Sequence, residues 1–183
     1  MRRTLRSVAL AVVAATAIGH GTAAHAATAA AINRDASAAL KTLYAHNSSA
    51  KMLSGKAKAV LVFPRILKAG FMVGAQSGDG ALRRGGKTVG YYRTVAGSYG
   101  FQAGIQSFGY ALFFMSDDAL SYLQRSDGWE IGSGPSVVIV DKGMAKTMTS
   151  TTLTQDVYAV VFNQKGLMAG VGLQGSKITR ITP

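Results

Sequence analysis

The side chains able to do acid–base or nucleophilic chemistry are few and scattered. Beyond residue 26 the only histidine is His46, and one imidazole without a positioned partner does not make a general base. There is no cysteine, which removes disulfides, thiolate metal sites and a cysteine nucleophile. No nucleophile elbow, phosphate-cradling Walker loop or HExxH helix occurs. Asp117 and Asp118 explain themselves as acids at a helix start, where they complement the dipole. Asp79, between two glycines, reads as turn chemistry. Asp127, Glu130, Asp141 and Asp156 lie near strand ends and lack acid–base spacing. Catalysis is therefore not expected, nor a cofactor or metal. A carboxylate site would need Asp141 or Asp156 to meet another acid in a cleft.

The cations are more informative. Twenty Lys and Arg stand against eight Asp and Glu, a net charge of +12; seventeen of the twenty follow residue 26, where the net is +9. Such an excess attracts polyanions such as phospholipid headgroups, lipopolysaccharide, acidic glycans or nucleic acid. Lys51, Lys56 and Lys58 surround a short helix, Arg65 and Lys68 follow closely, and Arg83, Arg84 and Lys87 crowd a hairpin. Near an anionic bilayer each surface cation contributes about 1 kcal/mol. The candidate lipid-binding residues are Lys56, Lys58, Arg65, Lys68, Arg83, Arg84 and Lys87. The 83–87 cluster is equally consistent with charges that keep a sheet edge from pairing. Nucleic acid is not expected, because the aromatics alternate with glycine inside strands and are not interleaved with the basic clusters.

Residues 28–46 carry a helical pattern, with Asn33 or Asp35 as the candidate to cap it or start its regular part. Ala36, Ala39, Leu40, Leu43 and Tyr44 form one apolar stripe. Leu40, Leu43 and Tyr44 are the residues expected to enter a membrane. Asn47 reads as the N-cap of a second helix, 48–54, ended by Gly55. From Lys58 the pattern becomes β. Val60–Phe63 is a buried run that Pro64 should stop. Residues 70–78, 99–106 and 167–174 alternate with period two, apolar residues on one face and Gly or Gln on the other. A glycine face implies strong curvature, or a backbone or ligand in close approach. A packed helix is one candidate for that approach, and a lipid acyl chain or headgroup the other. Ser77–Gly80 and Gly85-Gly86-Lys87 should be turns. Ser116 caps a helix over 117–125 that turns Ala119, Leu120 and Leu123 inward. Val137–Val140 reads as a buried strand, and 157–173 as a hairpin turning at Asn163–Gly166. Residues 144–154 receive no assignment. The expected fold is α+β: one domain with a strongly curved, mainly antiparallel β-sheet or barrel, two N-terminal helices and one short internal helix.

Residues 1–26 have the make-up of a secretory signal: Arg2, Arg3 and Arg6, then apolar Val8–Ile18, then the small-x-small triplet Ala24-His25-Ala26. This predicts a mature 27–183 domain, exported to periplasm or medium and peripheral on a membrane. Without a cysteine it would not be a lipoprotein. A small outer-membrane barrel is a rival that the helical segments count against. The other alternative is an envelope structural protein that meets a protein partner through its glycine-rich sheet face or apolar helix. Oligomeric state is not encoded in any of these patterns.

Lys56-Ala-Lys58-Ala-Val-Leu-Val-Phe-Pro64 followed by Lys68-Ala-Gly-Phe71 resembles the opening motif of the SYLF-domain family. Gly74…Gly78-x-Gly80, Gly100–Gln106, Gly134-Pro135 and Gly166–Gly170 continue the likeness over roughly 30–180. The resemblance implies lipid binding, phosphoinositides or related acidic lipids in eukaryotic members and actin in some fungal ones. Bacterial members are similar exported proteins, often lipoproteins. The family's membrane contacts, an N-terminal amphipathic helix and basic residues, fall here on 28–46 and on Lys56, Lys58 and Lys68. Arg83, Arg84 and Lys87 come from clustering alone. An export signal makes actin an unexpected partner.

Overall fold

The computed structural model describes residues 27–141, 144, 148–149, 153–165 and 173–183. Residues 1–26, where a secretory signal is expected, most of 144–154 and most of the third glycine stretch lie outside these residues. Among them the order is α1 (Ala29–His46), α2 (Ser48–Ser54), β1 (Ala59–Arg84), β2 (Lys87–Phe114), α3 (Asp117–Arg125), β3 (Trp129–Glu130), β4 (Val137–Ile139), β5 (Val157–Lys165) and β6 (Lys177–Ile181). No helix among the described residues is long and apolar enough to cross a membrane.

The helix ends follow local side-chain chemistry. Asn47 Oδ1 accepts from the amide of Ala50 at 2.8 Å, and Ser116 Oγ accepts from that of Ala119 at 3.2 Å, so both caps stand where expected. The cap of α1 is Thr28, whose Oγ1 accepts from Ala31 N. Asn33 and Asp35 instead lie inside the helix.

The two long strands form one hairpin around Gly85 and Gly86, both at positive φ (56° and 78°), the backbone a two-residue turn requires. Strand β2 is the axis of a mixed, strongly curled sheet. It pairs with β1 along one edge, and on the other with β6 through 91–95 and with β5 through 107–114. Strand β4 runs parallel to β5, and β3 pairs with β6. The result is a single α+β domain.

At about 3.3 Å per residue a straight 26-residue strand would reach about 85 Å. It does not stay straight. The register slips between Gly70 and Met72, and a Cβ on Gly70 would overlap Gly74 and the carbonyl of Val73. Beyond this corner the hairpin returns over itself. A Cβ on Gly78 would overlap the carbonyl oxygen of Arg65, and one on Gly80 would lie 2.5 Å from that of Val62. At Gly78 and Gly80, then, the glycine face meets the first half of its own strand, neither a helix nor an acyl chain. Ser77–Gly80 is strand, not turn.

Pro64 does not stop β1. It sits in a bulge, where Phe63 pairs with Tyr110 and Ile66 with Phe108, so two residues oppose one and the proline needs no ladder hydrogen bond. The bulge also exchanges the faces. Leu61 and Phe63 point inward, and after it so does Ile66, which sends Arg65, Leu67 and Ala69 outward. Inside the curl, Leu61, Phe63, Ile66, Tyr110, Leu112 and Phe114 pack with Trp129 and α3. A second cluster joins α1 and α2 to the sheet's outer face at Val60, Val62, Ala111, Phe113, Tyr158 and Val160. Two further expectations change. Strand β4 is half-buried rather than buried, and Asn163–Lys165 belongs to β5. The other arm of that expected hairpin lies outside the described residues.

Candidate anionic-surface site

At the hairpin tip, Arg83 donates to Thr88 Oγ1 (2.9 Å) and to the carbonyl of Gly86 (3.1 Å). Thr88 in turn donates to Asn33 Oδ1 at 2.6 Å, and Asn33 Nδ2 donates to the hydroxyl of Tyr91 at 2.7 Å. This chain of bonds stitches α1 to the tip. Burial pushes the Tyr44 phenol above its ordinary range; a hydrogen bond with Ser54 and the charge of Arg83 oppose the shift. Lys58 and Arg84 both reach Asp117, at 3.4 and 3.7 Å. Lys87 is paired with Arg84 in register, and exposed Lys56 lies two residues before Lys58. Five of the seven expected cations therefore share one end of the molecule with α1 and α2.

The apolar stripe of α1 is not available to a membrane there. Leu43 is 4 % exposed, and Leu40 is buried with Ile32, Ala36 and Ala39 against the outer face of the sheet. Tyr44 is half-buried, its ring 6.5 Å from that of Phe113. The stripe expected to enter a bilayer is used by the domain's own second core, because the sheet needs that cover.

Arg65 and Lys68 lie elsewhere and are parted from each other. Arg65 is exposed on the outer face, in an open cleft of about 460 Å³ with Ser107, Asn163 and Lys165. Lys68 pairs with Gln106 in register. It shares the inner parity with buried Gln106, whose Oε1 has no hydrogen-bond partner. Lys165 was absent from the expected set because Asn163–Gly166 reads as a turn. Asn163 does adopt a turn-like backbone (φ 52°), but as a bulge that keeps β5 paired through Lys165 with Ser107.

Asp79, Asp141 and Asp156 are structurally employed. Asp156 accepts from Ser116 Oγ, Ser136 N and Ser136 Oγ, and Asp141 accepts from the amide of Met144. Asp79 takes Arg93 bidentately at 2.6 and 2.9 Å across β1 and β2. Among the described residues no group of three or more His, Asp or Glu could hold a metal ion.

No curated protein matches the chain. The Lys56–Phe71 motif precedes the stretch that a family model recognises. Residues 95–182, from within β2 to just past the end of β6, match the model of the Ysc84 family, the SYLF domain, described as Las17-binding protein actin regulator.

Proposed function

We propose that the domain is a non-catalytic, peripheral binder of anionic phospholipid surfaces. The observation that carries this reading is the state of its cations. Of Lys56, Lys58, Arg65, Lys68, Arg83, Arg84 and Lys87, only Lys58 and Arg84 meet a carboxylate, and they share one. Cations held without counter-ions leave an attractive potential at the surface. The match of residues 95–182 to the model of a binding family supports a binding role. The signal-like segment 1–26 supports export, which would keep the domain from cytosolic actin and present it to envelope or external lipid.

The test is co-sedimentation of 27–183 with neutral and anionic vesicles at roughly 50 and 500 mM salt, across which the Debye length shrinks several-fold. The reading expects capture by anionic vesicles only, lost at high salt. Equal pelleting with both vesicle types contradicts it. The family's description favours a protein partner as a second reading; an apolar protein interface would persist at high salt.

A further inference from the structure

We propose that the bare outer face at the hairpin corner, formed by Leu67, Val73 and Ile105 beside Arg65 and Lys165, is the surface that enters an anionic phospholipid bilayer. This deepens the lipid-binding reading and rests on it.

The outer face of the sheet is continuous, but its cover is not. Helices α1 and α2 lie on Val60, Val62, Ala111 and Phe113, which is the base of the hairpin. Past the Pro64 bulge the same face runs on through Arg65, Leu67 and Ala69, and among the described residues no helix lies over it. Ile105 is 69 % exposed, Val73 62 % and Leu67 48 %. The inward positions of the same stretch hold buried Gln76 and Gln106. Among the described side chains near the corner, the large aliphatic ones thus lie outside and the two buried amides inside, the reverse of a water-facing sheet. The reversal follows from the bulge: without it, Leu67 would share the face of Leu61 and Phe63.

Charge complementarity identifies the occupant. Leu67, Ser107 and Lys165 are successive partners across β1, β2 and β5, so an aliphatic and an ammonium group flank one serine at strand spacings of about 4.8 Å. Arg65 and Lys165 line the same cleft. No Asp or Glu occurs in 64–76, 95–109 or 157–165. Aliphatic side chains edged by cations and free of acids fit the boundary between headgroup phosphates and acyl chains. A soluble polyanion would not call for the aliphatic part. The tip differs: Lys58 and Arg84 there share Asp117, and Val89 is its one exposed large aliphatic residue among those described.

The absence of cysteine makes single-site labelling clean. The test places an environment-sensitive fluorophore on Ile105→Cys and, separately, on Val89→Cys in 27–183, each with vesicles of neutral and of anionic phospholipid. The proposal expects a blue shift at 105 with anionic vesicles and little change at 89. A shift at 89 without one at 105, or equal shifts at both, overturns the corner as the contact while leaving lipid binding intact. Sedimentation with neither vesicle defeats the lipid-binding reading itself, and the proposal with it. In parallel, Leu67→Ser/Ile105→Ser and Arg65→Glu/Lys165→Glu should each weaken anionic-vesicle binding by about tenfold or more. All four sites are exposed, so thermal unfolding should be unchanged. Arg84→Glu/Lys87→Glu should weaken binding less than either pair; a larger loss there also overturns the proposal.

Discussion

Lys58, one residue before β1, and Arg84, its last residue, bind the same carboxylate of Asp117. Twenty-five residues of strand lie between them in sequence, and the corner at Gly70–Gly74 brings them together. The hairpin tip thereby returns to the hairpin base, where α1 and α2 cover the sheet. The corner is left as the opposite end, about 40 Å away along the strands. The candidate lipid-binding cations are divided between these ends for this reason.

The returning strand depends on missing Cβ atoms. Gly78→Ala and Gly80→Ala should each destabilise by roughly 2–3 kcal/mol, because the added methyl meets backbone that cannot rotate away. Gly97→Ala, with nothing within 4 Å of its Cβ position, should be neutral or slightly stabilising, within about 0.5 kcal/mol. Urea denaturation of the three variants checks this; equal stabilities would contradict the close return of β1.

Leu43→Ala should cost about 2–5 kcal/mol, as for other buried leucines. A residue facing a bilayer would leave the stability of the free protein unchanged. Equilibrium unfolding without lipid therefore separates a core role of the α1 stripe from a membrane role.

Two ion pairs should behave differently. Asp79 is 15 % exposed and bidentate with Arg93, whereas Asp117 is 61 % exposed and monodentate to each partner. Asp79→Asn should cost about 1–2 kcal/mol. Asp117→Asn should cost about 1 kcal/mol or less, including its place at the positive end of α3. Moderate salt should erase the second effect but not the first.

Tyr110 is fully buried, and desolvation holds its phenol above the ordinary value of 10.0, only partly offset by its 2.9 Å hydrogen bond to Thr94. A raised acid pKa contributes stability below the unfolded value that is lost above it. From about pH 10 upward the unfolded chain releases this proton and the folded one keeps it, so stability should fall by up to about 1.4 kcal/mol per pH unit. Tyr110→Phe should flatten this slope between roughly pH 10 and 11.5 relative to wild type. Denaturation midpoints across the range provide the comparison.

What could be read from the residues alone was what depends on near neighbours. The caps at Asn47 and Ser116 involve amides three residues on, and both were legible. The pattern offers Asn33 as a cap, whereas its partners, Thr88 and Tyr91, are more than fifty residues away. The glycine face signalled curvature, but not that the strand's own first half lies against Gly78. Pro64 was legible as an interruption; that it would exchange faces and send Leu67 outward depends on its register with β2. For the candidate site, cationic character was visible from composition. The division between tip and corner, and the arrival of Lys165 beside Arg65, needed the three-strand pairing.

Hydrogen exchange of 27–183 with and without anionic vesicles tests the central claim most directly. If the bilayer meets the corner of an intact domain, amides around 65–75 and 103–107 should gain protection on lipid binding. Those of α1 should exchange as slowly as in the free protein. Faster exchange along α1 with lipid bound, and an unchanged corner, would show that the helix leaves the sheet to enter the membrane and would contradict the account.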